Sequence, residues 1–406
     1  MDESTQYFFA LLRSFLKETT PPKAREVEWE KIYELARIHF VSGAVYVAIQ
    51  KLSKENQPQE DILKKFKAAF FATVIRYEKQ KEMSGEITEK LAEEKIQHIF
   101  FKGSIIKEYY PEKEMRTLGD IDLLLDKQNQ EAAKKAFVEI GYKNISSSKS
   151  RNCWVYEKNN LTIDVHDKLM YREINKKADY IYYFEKAWEN ATPIDRGYTY
   201  ELNLEFHLLF LLTHMAKHFY SYGCGVRMIL DMAVILNKFK EEIDFTYVWR
   251  ELKKIKLDIF AKNIFSICKK YFDVDISKTE KDENFEIDDN TFAMISKYIV
   301  EGGTFGFNNR NIASSRIRKE YEKTSNRKLA QIKALVGTIF LQYKIMKEQF
   351  PILENFPFLL PFFWVVRGFL CITTRRKRTV AILKGFTAEP SEAEEAYEVM
   401  KKIGLF

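Results

Sequence analysis

The chain has 406 residues, 46% hydrophobic and 30% charged, a composition that excludes intrinsic disorder and allows a large buried core. A net charge of +7 is mild: it suits an anionic substrate such as a nucleotide without demanding nucleic acid. With no basic arm, DNA is not expected as a partner and RNA is disfavoured.

Residues 1–96 read as an N-terminal helical region. Apolar positions recur at three- and four-residue spacing in Tyr7 to Leu16, Trp29 to Ile49 and Ile62 to Leu91, with turns at Thr19 to Pro22 and Asn56 to Pro58. The pattern changes at His98. His98 to Phe101 is a short strand candidate, Ser104 is placed to cap a helix over Ile105 to Tyr110, and Leu118 to Leu125 is the next strand. Asn129 to Ile140 reads as a helix closed by Gly141, and Asn152 to Glu157 and Leu161 to His166 read as a hairpin around Lys158-Asn159-Asn160. Residues 97–195 therefore form a small mixed α/β core (strand, helix, strand, helix, hairpin), and helices return over 196–406. The predicted class is α+β.

The segment Phe356 to Ile372 is the most apolar, but Pro357, Pro361 and Arg367 interrupt it, and it is too short for a confident membrane span. It reads first as a buried helix. The basic run Arg375 to Arg378 behind it supports a second reading, a peripheral membrane or protein contact through 356–378. Cys153, Cys224, Cys268 and Cys371 show no Cys-x-x-Cys spacing, which points to reduced thiols in the cytoplasm rather than disulfides or structural zinc. The start Met-Asp-Glu-Ser-Thr lacks the features of a secretory signal.

The chemistry concentrates in three pieces: Lys102-Gly103-Ser104, Asp120-Ile121-Asp122, and Asp164 within Leu161 to His166. Carboxylates rarely sit among Ile, Leu and Val unless they are paired or hold a metal. Strand alternation projects Asp120 and Asp122 to one face, and Asp164 to the same face as His166. Three converging carboxylates repel one another unless a divalent cation lies among them, and Mg2+ suits such oxygen ligands, with Mn2+ as the alternative. Gly103-Ser104, at a helix start, suits a phosphate. Lys102 and Arg116 are placed to neutralise triphosphate charge, although Arg116 fits an ion pair with a carboxylate equally well. His166 reads as a residue that orients Asp164.

His207, His214 and His218 lie within about 40° on a helical wheel. His214 and His218 are candidate nucleotide contacts, and His207 a hydrogen-bonded packing residue. Arg227 and Asp231, four apart, are expected to pair with each other. Arg310 to Lys328 reads as a solvated basic helix face, with contact to a phosphate-bearing acceptor as the alternative.

These motifs together resemble the DNA polymerase β-type nucleotidyltransferase superfamily. More narrowly, Phe101-Lys-Gly-Ser104, Arg116-x3-Asp120-Ile-Asp-Leu123, Gly141-Tyr142 and Ile163-Asp-Val-His166 resemble the bacterial uncharacterised nucleotidyltransferase family. The likeness extends to Glu28 to His39, to His214-x3-His218 with Arg227-x3-Asp231, and to Pro351 to Pro361. The gap from Gly103-Ser104 to Asp120 is longer than in many superfamily members. The resemblance implies a two-metal site held by Asp120, Asp122 and Asp164, with Gly103 and Ser104 on the β- and γ-phosphates of an NTP. It also implies transfer of NMP to a hydroxyl of a small-molecule or sugar-type acceptor with release of pyrophosphate. The rival readings are a non-catalytic nucleotide-binding or interaction module, and an RNA- or protein-modifying nucleotidyltransferase on the same scaffold.

Overall fold

The computed structural model describes the whole chain except residues 25, 147–152, 176, 196, 222, 280–285, 304–311, 325, 375 and 387–390. The chain opens with α1 (Glu3–Leu16), α2 (Trp29–Ile38), α3 (Ser42–Gln50) and the long α4 (Glu60–Glu93). The Asp2 side chain caps α1 by accepting from the Thr5 amide. The apolar periodicity from Trp29 to Ile49 spans two helices rather than one, broken where Phe40 takes a positive φ of 54°.

The central part is a mixed seven-stranded sheet: β1 (His98–Phe100), β2 (Ile121–Leu125), β3 (Lys143–Asn144), β4 (Cys153–Lys158), β5 (Leu161–His166), β6 (Ala191–Asp195) and β7 (Thr199–Leu202). Their order is β3-β4-β5-β2-β1-β7-β6. Two helices interleave with these strands, the single turn α5 (Gly103–Ile106) and α6 (Gln130–Glu139), and α7 (Tyr180–Phe184) precedes β6. The β4–β5 turn is carried by Asn159 and Asn160, with φ of 53° and 62°, the left-handed pair that a tight two-residue hairpin demands. The sequence reading misses β6 and β7. They carry a β-bulge and little apolar alternation, and β7 joins the sheet by pairing in parallel with β1 and antiparallel with β6.

On one sheet face Ile121, Leu123, Leu125, Ile163 and Val165 pack with Ile87 and Leu91 of α4 and Phe137 of α6. The alternate residues of β2 and β5 face the other way, toward α8 (Leu204–Ser221) and α9 (Val226–Phe239). A large aromatic-rich core runs from α1 through these helices to α10 (Phe245–Lys254), α11 (Asp258–Phe272) and α12 (Asp289–Gly302).

The C-terminal part comprises α13 (Ile312–Thr324), α14 (Arg327–Ile339), α15 (Tyr343–Gln349), α16 (Leu360–Thr373), α17 (Arg376–Phe386) and α18 (Ser391–Ile403). Here α18 returns to the main core through Val399, Met400 and Ile403, while two small satellite cores hold α13 to α17. Contrary to the first reading of Phe356 to Ile372, no residue of α16 is buried. No helix among the described residues is long and apolar enough to cross a membrane. The expected solvated face of α13 is corrected at Arg318, which is buried and bonded to the Tyr220 carbonyl oxygen. Arg310 and Asn311, at the start of that stretch, lie outside the described residues.

Candidate functional site

β2 and β5 run in parallel with Asp122 paired to Asp164, so the two carboxylates leave adjacent strands on one face. Asp120 stands one residue before β2 begins and joins them in lining a cavity of about 570 Å³, within the range of small-ligand pockets. Asp122 is buried, and Asp120 is exposed as a residue while its carboxyl, on the cavity lining, is largely withdrawn from water. Burial, together with the charges of Asp122 and Asp164, raises the pKa of Asp120, and burial with Asp122 raises that of Asp164. Burial also resists ionisation of Asp122, but the Lys102 ammonium and His166 outweigh it and hold its carboxyl at about 2. Two carboxylates pushed toward protonation beside a third that stays ionised are a donor set that a divalent cation would relieve.

Asp122 Oδ1 accepts from Lys102 Nζ at 2.5 Å and lies 3.0 Å from His166 Nε2. His166 thus orients Asp122 rather than Asp164, because the parallel register sets its ring beside β2. Its Nδ1 is buried without a hydrogen-bond partner. Lys102 has a backbone φ of 53° and ψ of −129°, a strained conformation for a non-glycine residue that turns the chain from β1 into α5. Gly103 is glycine for a packing reason: a Cβ there would lie 2.4 Å from Leu118 Cδ2 and 3.0 Å from Arg116 Nη1. Ser104 is buried, its hydroxyl has no hydrogen-bond partner, and it is not among the residues that line the cavity.

Arg116 takes the ion-pair role. Its Nε and Nη2 donate to Asp231 Oδ1 and Oδ2 at 2.9 and 2.8 Å, and the Tyr110 hydroxyl donates to Oδ1 at 2.7 Å. Burial disfavours the guanidinium, yet Asp231 keeps its pKa above the usual arginine value. The carboxylate that four-residue spacing assigns to Arg227 is therefore bonded through both oxygens to Arg116. Arg227 Nη1 donates to the Thr117 carbonyl at 3.1 Å, and burial with Arg116 nearby lowers its pKa to about 10.

The stretch leading to Asp120 is held from a second side by α4. Arg76 Nε donates to the Leu118 carbonyl at 2.7 Å and its Nη2 to that of Gly119 at 2.5 Å. Sequence reasoning misses Arg76, which sits 44 residues ahead of Asp120 inside an ordinary amphipathic helix.

Among the three stripe histidines, His214 and His218 line the cavity, their Nε2 atoms 3.1 Å apart. His207 is buried in the core, and its Nε2 lacks the hydrogen bond expected of it. Burial drives His214 well below the usual imidazole value and His218 to about 3, and burial with Lys102 nearby brings Lys217 to about 8. Cys153 is also missed by sequence reasoning. It pairs with His166 across β4–β5, and its sulfur, an Asp164 oxygen and a His166 nitrogen lie within 4.8 Å of one another.

The mixed sheet and the helices beside it gather acidic and basic side chains around one cavity. Residues 25–273 match the family model described as uncharacterised nucleotidyltransferase, and the chain belongs to that family. No curated protein and no solved structure matches it.

Proposed function

We propose that this protein transfers a nucleoside monophosphate from an NTP to a hydroxyl of a small-molecule or sugar-type acceptor, releasing pyrophosphate. The observation that carries this reading is the pairing of Asp122 with Asp164 across β2 and β5, with Asp120 beside them and Lys102 and Gly103 lining the same cavity. Asp120, Asp122 and Asp164 would hold Mg2+ or Mn2+, which supplies charge neutralisation for the triphosphate and acidifies the acceptor hydroxyl. The acceptor oxygen attacks the α-phosphorus, the bond to the β-phosphate oxygen breaks, and pyrophosphate leaves with that electron pair. Asp164 takes the hydroxyl proton, a task its raised pKa favours.

The Ser104 hydroxyl and the α5 amides hold the β- and γ-phosphates, with Lys102 released from Asp122 to the triphosphate. His214 and His218, neutral over the physiological range, contact the nucleotide from α8. Residues 97–195, completed by β7 from the region that follows, serve as the transfer core, and the flanking regions 1–96 and 196–406 wall the cavity through Arg76 and through α8 and α9. A cytoplasmic location fits four free thiols.

The test supplies each NTP with Mg2+ and a panel of sugar and small-molecule acceptors and follows pyrophosphate release. Asp120→Asn and Asp122→Asn each lower turnover by about a thousandfold or more if these carboxylates stabilise the transition state. Unchanged release in both variants rejects the assignment.

A further inference from the structure

α16 carries two apolar faces, and the protein uses one of them. Phe363 and Trp364 pack on the satellite core of Leu341, Met346 and Leu353, and Trp364 Nε1 donates to the Leu341 carbonyl at 2.9 Å. Arg367, the one charge in the helix, points to the same side, with Nη1 donating to the carbonyls of Thr338 and Ile339 at 3.3 and 3.2 Å.

The opposite face is a stripe of Phe362, Val365, Phe369 and Ile372, 61, 72, 67 and 64% exposed, with Phe358 just ahead at 74%. On a helical wheel the four helical positions fall within about 80°, and no polar residue interrupts them. A second exposed row, Leu329, Ile332, Val336 and Ile339, runs along neighbouring α14. Two such exposed apolar rows are unusual on a protein that meets only water.

Charge selects the occupant. Residues 356–388 contain six Lys and Arg and no Asp or Glu, and α17 starts at Arg376, directly behind α16. A second copy would bring the same excess of positive charge to the contact and be repelled, whereas an anionic surface would be attracted. The 14 residues of α16 extend about 21 Å, short of the roughly 30 Å of a bilayer core, so the helix cannot cross. We propose that α16 lies in the plane of an anionic membrane surface, its Phe362–Ile372 stripe inserted at the headgroup boundary and the basic start of α17 on the lipid phosphates. Docking of this kind would hold the protein at a bilayer surface.

The test is co-sedimentation of the full chain with vesicles of phosphatidylcholine alone and of phosphatidylcholine with about one third phosphatidylglycerol. The wild type binds the anionic vesicles and is released by raised salt, and the triple variant F362S/V365S/F369S partitions about tenfold less or weaker still. A second variant, R375Q/R376Q/K377Q/R378Q, keeps the apolar face and loses the preference for phosphatidylglycerol. Far-UV circular dichroism checks that both variants are folded. Absence of wild-type binding to either vesicle, or equal binding by wild type and the triple variant, overturns the proposal. So does concentration-dependent self-association that the triple variant abolishes, since that assigns the stripe to a second copy. The vesicle readout is independent of nucleotide turnover and stands or falls apart from the catalytic reading.

Discussion

Removing the Asp231 carboxylate should destabilise the whole site by stranding its buried partners. Asp231→Ala strips Arg116 of two charge-assisted bonds and Tyr110 of one, all of them buried. Arg227 lies close enough for its own pKa to be lowered by Arg116, so the variant leaves one buried and one half-buried guanidinium group without that counter-ion. Breaking a buried ion pair by deleting one partner costs about 3–5 kcal/mol, which sets the expected loss. Replacing both partners by apolar residues, Arg116→Met with Asp231→Leu, removes the stranded charge and should return the chain to within about 1 kcal/mol of wild type. Urea denaturation followed by circular dichroism measures each arm, and a double-mutant cycle extracts the coupling.

Turnover should fall in Asp231→Ala as well. Arg116 Nη1 donates to the Thr117 carbonyl at 2.8 Å, three residues before Asp120, and a shifted Arg116 lets that stretch move. The coupling of Asp231 to Arg116 should exceed its coupling to Arg227. A loss below about 1 kcal/mol for Asp231→Ala, or a double variant as unstable as the single one, refutes the reasoning that a desolvated pair organises this loop.

Gly103→Ala places a methyl 2.4 Å from Leu118 Cδ2 and against the Arg116 guanidinium. Thermal denaturation should show a loss of about 1–3 kcal/mol, typical of overpacking, together with weakened NTP binding. Acid should destabilise the fold through its buried histidines. Burial lowers His39 and His207 from 6.5 to about 4, so the unfolded chain binds more protons between those values and stability falls as pH drops through that window. Each contributes on the order of 3 kcal/mol once pH reaches the folded value, and His207→Leu should flatten the pH dependence of urea unfolding between pH 6.5 and 4.

Much of the site was legible before any fold was known, because local rules act there. Strand alternation sends Ile121 and Leu123 to one side and Asp122 to the other, and the Asn159-Asn160 turn needs no tertiary help to be recognised. Periodicity does not distinguish a helix packed on one face from one packed on two, so Phe356 to Ile372 reads as core although its outer stripe is uncovered. Exposure is a property of what else packs nearby.

By itself the sequence determined the α+β class, the three carboxylates with their Gly-Ser turn, and which strand face each side chain takes, since all of these follow from spacing within a few residues. Only the tertiary structure decided who partners whom. Arg116 meets Asp231 across 115 residues, His166 meets Asp122 across 44, and Arg76 reaches the carbonyls of Leu118 and Gly119 from a helix that sequence pattern marks as ordinary scaffold. Charged side chains choose partners by distance and shared desolvation, and neither quantity exists until the sheet and the helices on either side of it have closed around the cavity.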